Sequence, residues 1–276
     1  CQWDLARQLE GEMKEIGLQD VKVSEFGVVT GVLPAAPGCE GAPAIGFIAH
    51  MDTAPAFSGK DVNPIVHPNY DGGDIHLPKE GRVLRVSDFP VLERMRGRTL
   101  ITADGSTLLG ADDKAGIAEI MTMCEEIVGR KLPHGKICVA FTPDEEIGEG
   151  ADHFDVARFG AKYAYTADGD LEGGIEYENF NAAGARIEIT GVSVHPGSAK
   201  DAMENALLIA MEINARLPAG AVPARTEGYE GFFHLDEMAG DVAAARMAYI
   251  IRDHDWEKCQ EKQAVLAEAV RPVQAA

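Results

Sequence analysis

Apolar residues follow two different periods along the chain, and each change of period marks an element. Trp3, Leu5, Leu9, Met13 and Ile16 recur at helical spacing, with Gly17 placed to close the helix. Residues 21–32 alternate weakly and predict a hairpin about Phe26-Gly27. The runs 44–49, 136–141 and 163–166 are short and apolar, as strands buried on both faces are. Between the first two, a helical pattern runs from Lys114 to about Val128 and stops at Gly129. Strands separated by helices predict βαβ units in a parallel or mixed sheet. Residues 54–98 are rich in Pro, Gly and Asp and predict a long surface excursion. After it, short strands at 100–102 and 107–109 are expected to flank an Asp104-Gly105 turn.

Past Asn181 the texture changes. A strand at 185–190, a helix at 205–217, strands at 232–237 and 244–252 and a helix from Trp256 to about Val270 make a βαββα pattern. The expected organisation is therefore one α/β domain over residues 1–181 and a smaller α+β domain over 182–276.

Composition narrows the classes. A chain of 276 residues can bury a full core, and a net charge of -20 opposes nucleic acid and anionic membrane as partners. No apolar run approaches the ~18 residues that span a bilayer. The five cysteines are odd in number and contain no CxxC pair, which fits a reducing, cytoplasmic compartment better than a disulfide framework. The chain opens at Cys1 already in a helical pattern and ends in another without a clear stop, so a fragment of a longer protein is expected.

The chemistry sits where apolar runs end. His50 and Asp52 follow the first run, Asp112-Asp113-Lys114 opens the helix, Glu145-Glu146 follow the second run and Asp168 the third. In such sheets ligands bind beyond the carboxyl ends of the strands. Read alone, Asp112-Asp113 also fits a capped helix start, Asp52 a turn cap, and Glu145-Glu146 a solvated charge pair. Taken together, one histidine and several carboxylates suit zinc, manganese or cobalt. His50 would then be a metal ligand, oriented by Asp52. Asp112 could bridge two metals, Glu146 and Asp168 would be terminal ligands, and Glu145 would be free as general base on a metal-activated water. His67, His76, His134, His153 and His234 sit among polar residues and are expected to be exposed, and Met121, Met123 and Cys124 to pack in the core.

The segments His50-Met51-Asp52-Thr53, Gly110-Ala111-Asp112-Asp113-Lys114-Ala115-Gly116, Thr142-Pro143-Asp144-Glu145-Glu146-Ile147-Gly148 and Ala167-Asp168-Gly169 closely resemble the di-zinc aminopeptidase/carboxypeptidase/deacylase family. Residues 177–182, His195-Pro196-Gly197 and 226–232 are similar to its tripeptide aminopeptidases. The resemblance implies a mixed-sheet catalytic domain with an inserted lid that also dimerises. It implies two zinc ions per site, with cobalt or manganese as substitutes, and a small peptide as substrate. His50 and Asp168 would hold one zinc, Glu146 the other, with Asp112 between them and a cis peptide joining Asp112 to Asp113. Glu145 and Asp52 would be catalytic, His195 would reach the substrate or its oxyanion, and Arg252 would bind a substrate carboxylate. The implied reaction is release of the N-terminal residue of tripeptides. The alternatives are another amide hydrolase of the family (dipeptidase, carboxypeptidase or deacylase) or an inactive truncated product. The last follows from a departure: the family's final histidine ligand comes after the lid, and no histidine follows His254.

Overall fold

A computed structural model describes residues 2–169 and 172–274. The chain forms two compact units, residues 1–175 and 176–276. The division falls a few residues before the sequence change at 181, because Phe180 already packs on the second unit, where the Arg252 guanidinium lies 4.3 Å from its ring centroid.

The first unit is built on a five-stranded mixed sheet of β1 (Gln19–Val23), β2 (Val29–Leu33), β8 (Ile137–Thr142), β3 (Ile45–His50) and β9 (Tyr163–Thr166), in that spatial order. β8 is buried along all six residues, as its unbroken apolar run dictates. Its side chains alternate between two faces. Ile137, Val139 and Phe141 join Leu9 and Met13 of α1 (Gln2–Ile16) and Ile117, Ile120 and Cys124 of α3 (Ala111–Gly129), while Cys138 and Ala140 meet Phe159 on the other side. Burying each large apolar side chain contributes roughly 1.5–3 kcal/mol, so these helices are held mainly by this face.

β3 runs parallel to both β8 and β9, pairing His50 with Thr142 and Ile48 with Thr166. The three carboxyl ends are therefore level. Whatever follows them in sequence emerges at one edge of the sheet.

The excursion carries more structure than its composition predicts. β4 (Ile65–His67) pairs with β7 (Leu100–Thr102), and β5 (Ile75–His76) with β6 (Val83–Leu84), and a short helix α2 spans Val91–Arg94. Asp104 pins it. Its carboxylate is 1% exposed and accepts from Ser106 N and Oγ at 3.0 and 2.6 Å, Lys79 Nζ at 2.9 Å and Asn63 Nδ2 at 3.3 Å. Those donors, Ser106 first, hold Asp104 far below the usual carboxylate range. Residues 107–109 do not form the expected strand. The Asp104–Ser106 bonds turn the chain, and Leu108 N–H donates to the Ser58 carbonyl instead of a sheet. A four-residue helix, α4 (Val156–Phe159), brings Phe159 onto the sheet.

The second unit is an antiparallel sheet in the order β10 (Asn181–Thr190), β12 (Ala244–Asp253), β11 (Phe232–Gly240). α5 (Ala206–Ala215) and α6 (Trp256–Gln274) share its core, where Ala210, Ile213 and Leu266 meet Phe233, Met247 and Ile251. Asn205 starts α5 by accepting the Leu207 N–H at 3.0 Å. Of the five histidines expected to be exposed, His67 and His134 are only half-exposed, and His67 bonds the Thr102 hydroxyl at 3.0 Å.

Candidate metal centre

Level strand ends bring the predicted residues of the first unit together. His50 closes β3 and is 2% exposed. Its Nδ1 faces Asp52 Oδ1 at 3.2 Å, and its Nε2 faces Asp112 Oδ1 at 2.9 Å, with Asp168 Oδ2 at 3.8 Å and Glu145 Oε2 at 3.9 Å. Ligand atoms of His50, Glu145 and Asp168 lie within 4.8 Å of one another, as do those of His50, Asp112 and Glu146. Both groups share His50.

Asp52 organises this edge. Its carboxylate accepts the backbone N–H of Glu145 at 3.1 Å and of Glu146 at 3.0 Å, besides facing the imidazole. One buried carboxylate thus ties the end of β3 to the turn after β8 and leaves His50 Nε2 for a ligand. Asp112 and Asp113 depart from helical geometry at the mouth of α3, and the peptide between them is cis. Asp112 is exposed beside His50. Asp113 turns inward, 3% exposed, to accept the N–H of His50 at 3.1 Å and of Gly116 at 3.2 Å.

Crowding of acids shows in their titration. Burial pushes the Asp113 carboxyl up to about 6, against the two N–H donors that favour its charge. Burial likewise raises Glu145 and Asp168, with neighbouring carboxylates adding to the shift. Burial acts to lower His50, but the Asp112 hydrogen bond and the charges of Asp168, Asp52 and Asp113 outweigh it and raise the imidazole. Carboxylates held this close, converging on one imidazole nitrogen, form a donor set that a borderline divalent cation such as zinc relieves. A cavity of about 830 Å³ opens beside Asp112 and Asp168.

Sequence reasoning gave no role to three residues of the same motif. Asp113 is the buried anchor just described. Lys114 is half-buried and donates from Nζ to the Asp52 carbonyl at 3.1 Å. Gly116 lets α3 approach β9, since a Cβ there would overlap the Ala167 carbonyl oxygen and the Asp113 carboxylate. Gly116→Ala is therefore expected to cost about 2–3 kcal/mol in urea unfolding, by forcing α3 away from the strand that carries Asp168. A loss below about 0.5 kcal/mol would contradict this close approach.

His195 and Arg252 belong to the second unit. His195 is exposed, and its Nδ1 accepts the Gly197 N–H at 3.1 Å. The Arg252 guanidinium lies over Phe180 and Phe232, at 4.3 and 6.0 Å from their centroids, and its buried Nε has no hydrogen-bond partner among the described residues. Tyr229, whose hydroxyl bonds the Glu178 carboxylate, and Phe180 both set ring edges against His254.

This fold, with histidine and acids at its strand ends, has the architecture of the M20 peptidases, and the family's peptidase dimerisation domain matches residues 177–275. The chain belongs to the peptidase T family. It is 53% identical over 273 residues to peptidase T of Salmonella paratyphi A, covering 99% of this chain and 66% of that relative. Among solved structures it is similar to aminopeptidase PepT from Bacillus cereus, with a TM-score of 0.71 at 25% identity, covering 97% of this chain and 65% of the other. A tripeptidase from Staphylococcus aureus shares the fold, with a TM-score of 0.72 at 22% identity over 96% of this chain and 65% of that one. The chain thus spans slightly under two thirds of the length of these relatives.

Proposed function

We propose that the protein is a zinc-dependent tripeptide aminopeptidase that releases the N-terminal residue of its substrate. The observation that carries this reading is the convergence of Asp112, Asp168 and Glu145 on the Nε2 of His50, in a chain 53% identical to peptidase T. His50 and Asp168 would hold one zinc, Glu146 the second, and Asp112 would lie between them. Zinc bound there would polarise the scissile carbonyl and lower the pKa of the attacking water.

The remaining steps belong to side chains. Glu145, half-exposed and raised towards neutrality, takes a proton from the attacking water and delivers it to the leaving amine as the carbon–nitrogen bond breaks. Asp52 keeps His50 oriented and fixes the Glu145 and Glu146 main chain, so the base does not drift from the ligands. His195 is the second unit's candidate donor to a developing oxyanion. Arg252 pairs its fork with the peptide carboxylate, and its guanidinium is held flat by Phe180.

The substrate test is a panel of unblocked tripeptides, dipeptides, N-acetylated tripeptides and N-acyl amino acids with added zinc. Release of the first residue from unblocked tripeptides alone is expected. Preferential cleavage of dipeptides, or of acyl groups, would replace this reading with the dipeptidase or deacylase alternative.

The second unit is read as a lid that also pairs two copies of the chain. The matching dimerisation domain supports this, as do Leu208 and Met211, which stand 62% and 58% exposed on α5. A Leu208→Glu, Met211→Glu double variant is expected to halve the mass measured by light scattering. An unchanged mass would place the interface elsewhere. A cytoplasmic setting is supported by Cys39, Cys124, Cys138 and Cys259, all free thiols.

A further inference from the structure

Lys114 lies beside the strand-end acids, and the proposed chemistry does not use it. It sits among acids. Asp112 and Asp113 directly precede it in sequence, and its Nζ reaches the main-chain carbonyl of Asp52, whose own carboxylate receives Glu145 and Glu146 N–H. Among the described residues, no other lysine or arginine makes a hydrogen bond or ion pair with His50, Asp52, Asp112, Asp113, Glu145, Glu146 or Asp168. The chain as a whole carries a net charge of -20, so the surface at large supplies no compensating field.

Like charges gathered at the end of a sheet repel, and repulsion grows as water is excluded. In a metal-free site of this composition, a resident cation in addition to the His50 imidazole relieves that repulsion. A half-buried ammonium does this without competing for the ligand atoms, because its hydrogen bond goes to a carbonyl and leaves the carboxylates free. We propose that Lys114 is a positioning residue: it is the built-in counter-charge that holds the metal centre together while no metal is bound, clamping the end of β3 to the start of α3. Once divalent cations enter, most of that electrostatic duty passes to them.

Charge and hydrogen bond separate by substitution. Lys114→Gln keeps a donor for the Asp52 carbonyl and removes the charge, Lys114→Met removes both, and Lys114→Arg keeps the charge. Thermal unfolding is followed first in EDTA. Lys114→Gln and Lys114→Met are expected to lower the midpoint alike, by on the order of 3–5 °C, with Lys114→Arg close to wild type. With saturating zinc the Lys114→Gln deficit is expected to shrink below half its EDTA value.

A Lys114→Gln midpoint equal to wild type in EDTA would overturn the proposal, since the hydrogen bond alone would then suffice. A deficit that zinc leaves unchanged or enlarges would overturn it too, because a merely structural lysine is insensitive to what the cations supply. Only the zinc arm rests on the metal-centre reading. If zinc does not shift the wild-type midpoint, that reading fails, and the EDTA comparison still decides the role of Lys114. Should Lys114→Met not fold, Lys114→Gln carries the comparison.

Discussion

Glu145→Gln is expected to lower kcat/KM for hydrolysis of a tripeptide by about 1000-fold, with zinc binding and the unfolding midpoint nearly unchanged. The side chain is 51% exposed and, apart from its approach to His50 at 3.9 Å, is tied down by its main chain rather than its carboxylate. An amide of the same shape therefore leaves the turn intact. What it removes is a group able to accept a proton and give it back. Burial and the acids around it raise Glu145 above an ordinary glutamate, which brings its basicity closer to neutral pH, where a general base works best. A loss smaller than tenfold would mean that the proton passes through another group, and Glu145 would be reassigned as a ligand beside His50 and Asp168.

Asp52→Ala acts on both fold and site. It deletes the acceptor of two backbone N–H groups, 3.1 and 3.0 Å away, and the partner of the His50 imidazole. Stranding donors of this kind costs roughly 1–3 kcal/mol each, so urea unfolding is expected to lose about 2–4 kcal/mol. Zinc affinity is expected to fall by about 10–100-fold, as when the outer partner of a metal-bound histidine is removed. Asp52→Asn keeps one oxygen and the shape, and is expected to recover much of the stability but little of the affinity. Full recovery of both stability and affinity in Asp52→Asn would show that Asp52 matters only for its shape.

The contrast between these residues explains what could be read from the chain. His50, Asp112, Glu145, Glu146 and Asp168 were legible because each follows or precedes an apolar element, and sheet geometry brings such ends to one edge. The three apolar runs, the hairpin and the βαββα pattern were legible as elements for the same reason, since a period of two or of 3.6 reports on which face is buried. The expected burial of 163–166 was wrong, because β9 is the last strand of its sheet and all four of its residues are exposed in the described unit. The excursion was not. Its ribbons are too short to show a period, and they depend on Asp104, whose partners Lys79 and Asn63 are remote in sequence. Nor did the sequence distinguish Asp112 from Asp113. Both are acids at a helix mouth, and only the backbone geometry at that step sends one to the cleft and the other inward. Gly116 looked like ordinary helix punctuation until the Ala167 carbonyl appeared beside it.

That the strand-end residues form one metal centre is tested most directly by equilibrium dialysis of wild type and His50→Ala against buffered zinc. Acidic surfaces take up zinc weakly wherever carboxylates meet, so the difference between the two proteins is the informative quantity. Both convergent ligand groups include His50. Wild type is expected to bind zinc at least 100-fold more tightly than His50→Ala, with only weak surface uptake left in the variant. Equal binding by the two proteins would contradict the account, and would reduce the converging acids at the ends of β3, β8 and β9 to a solvated cluster.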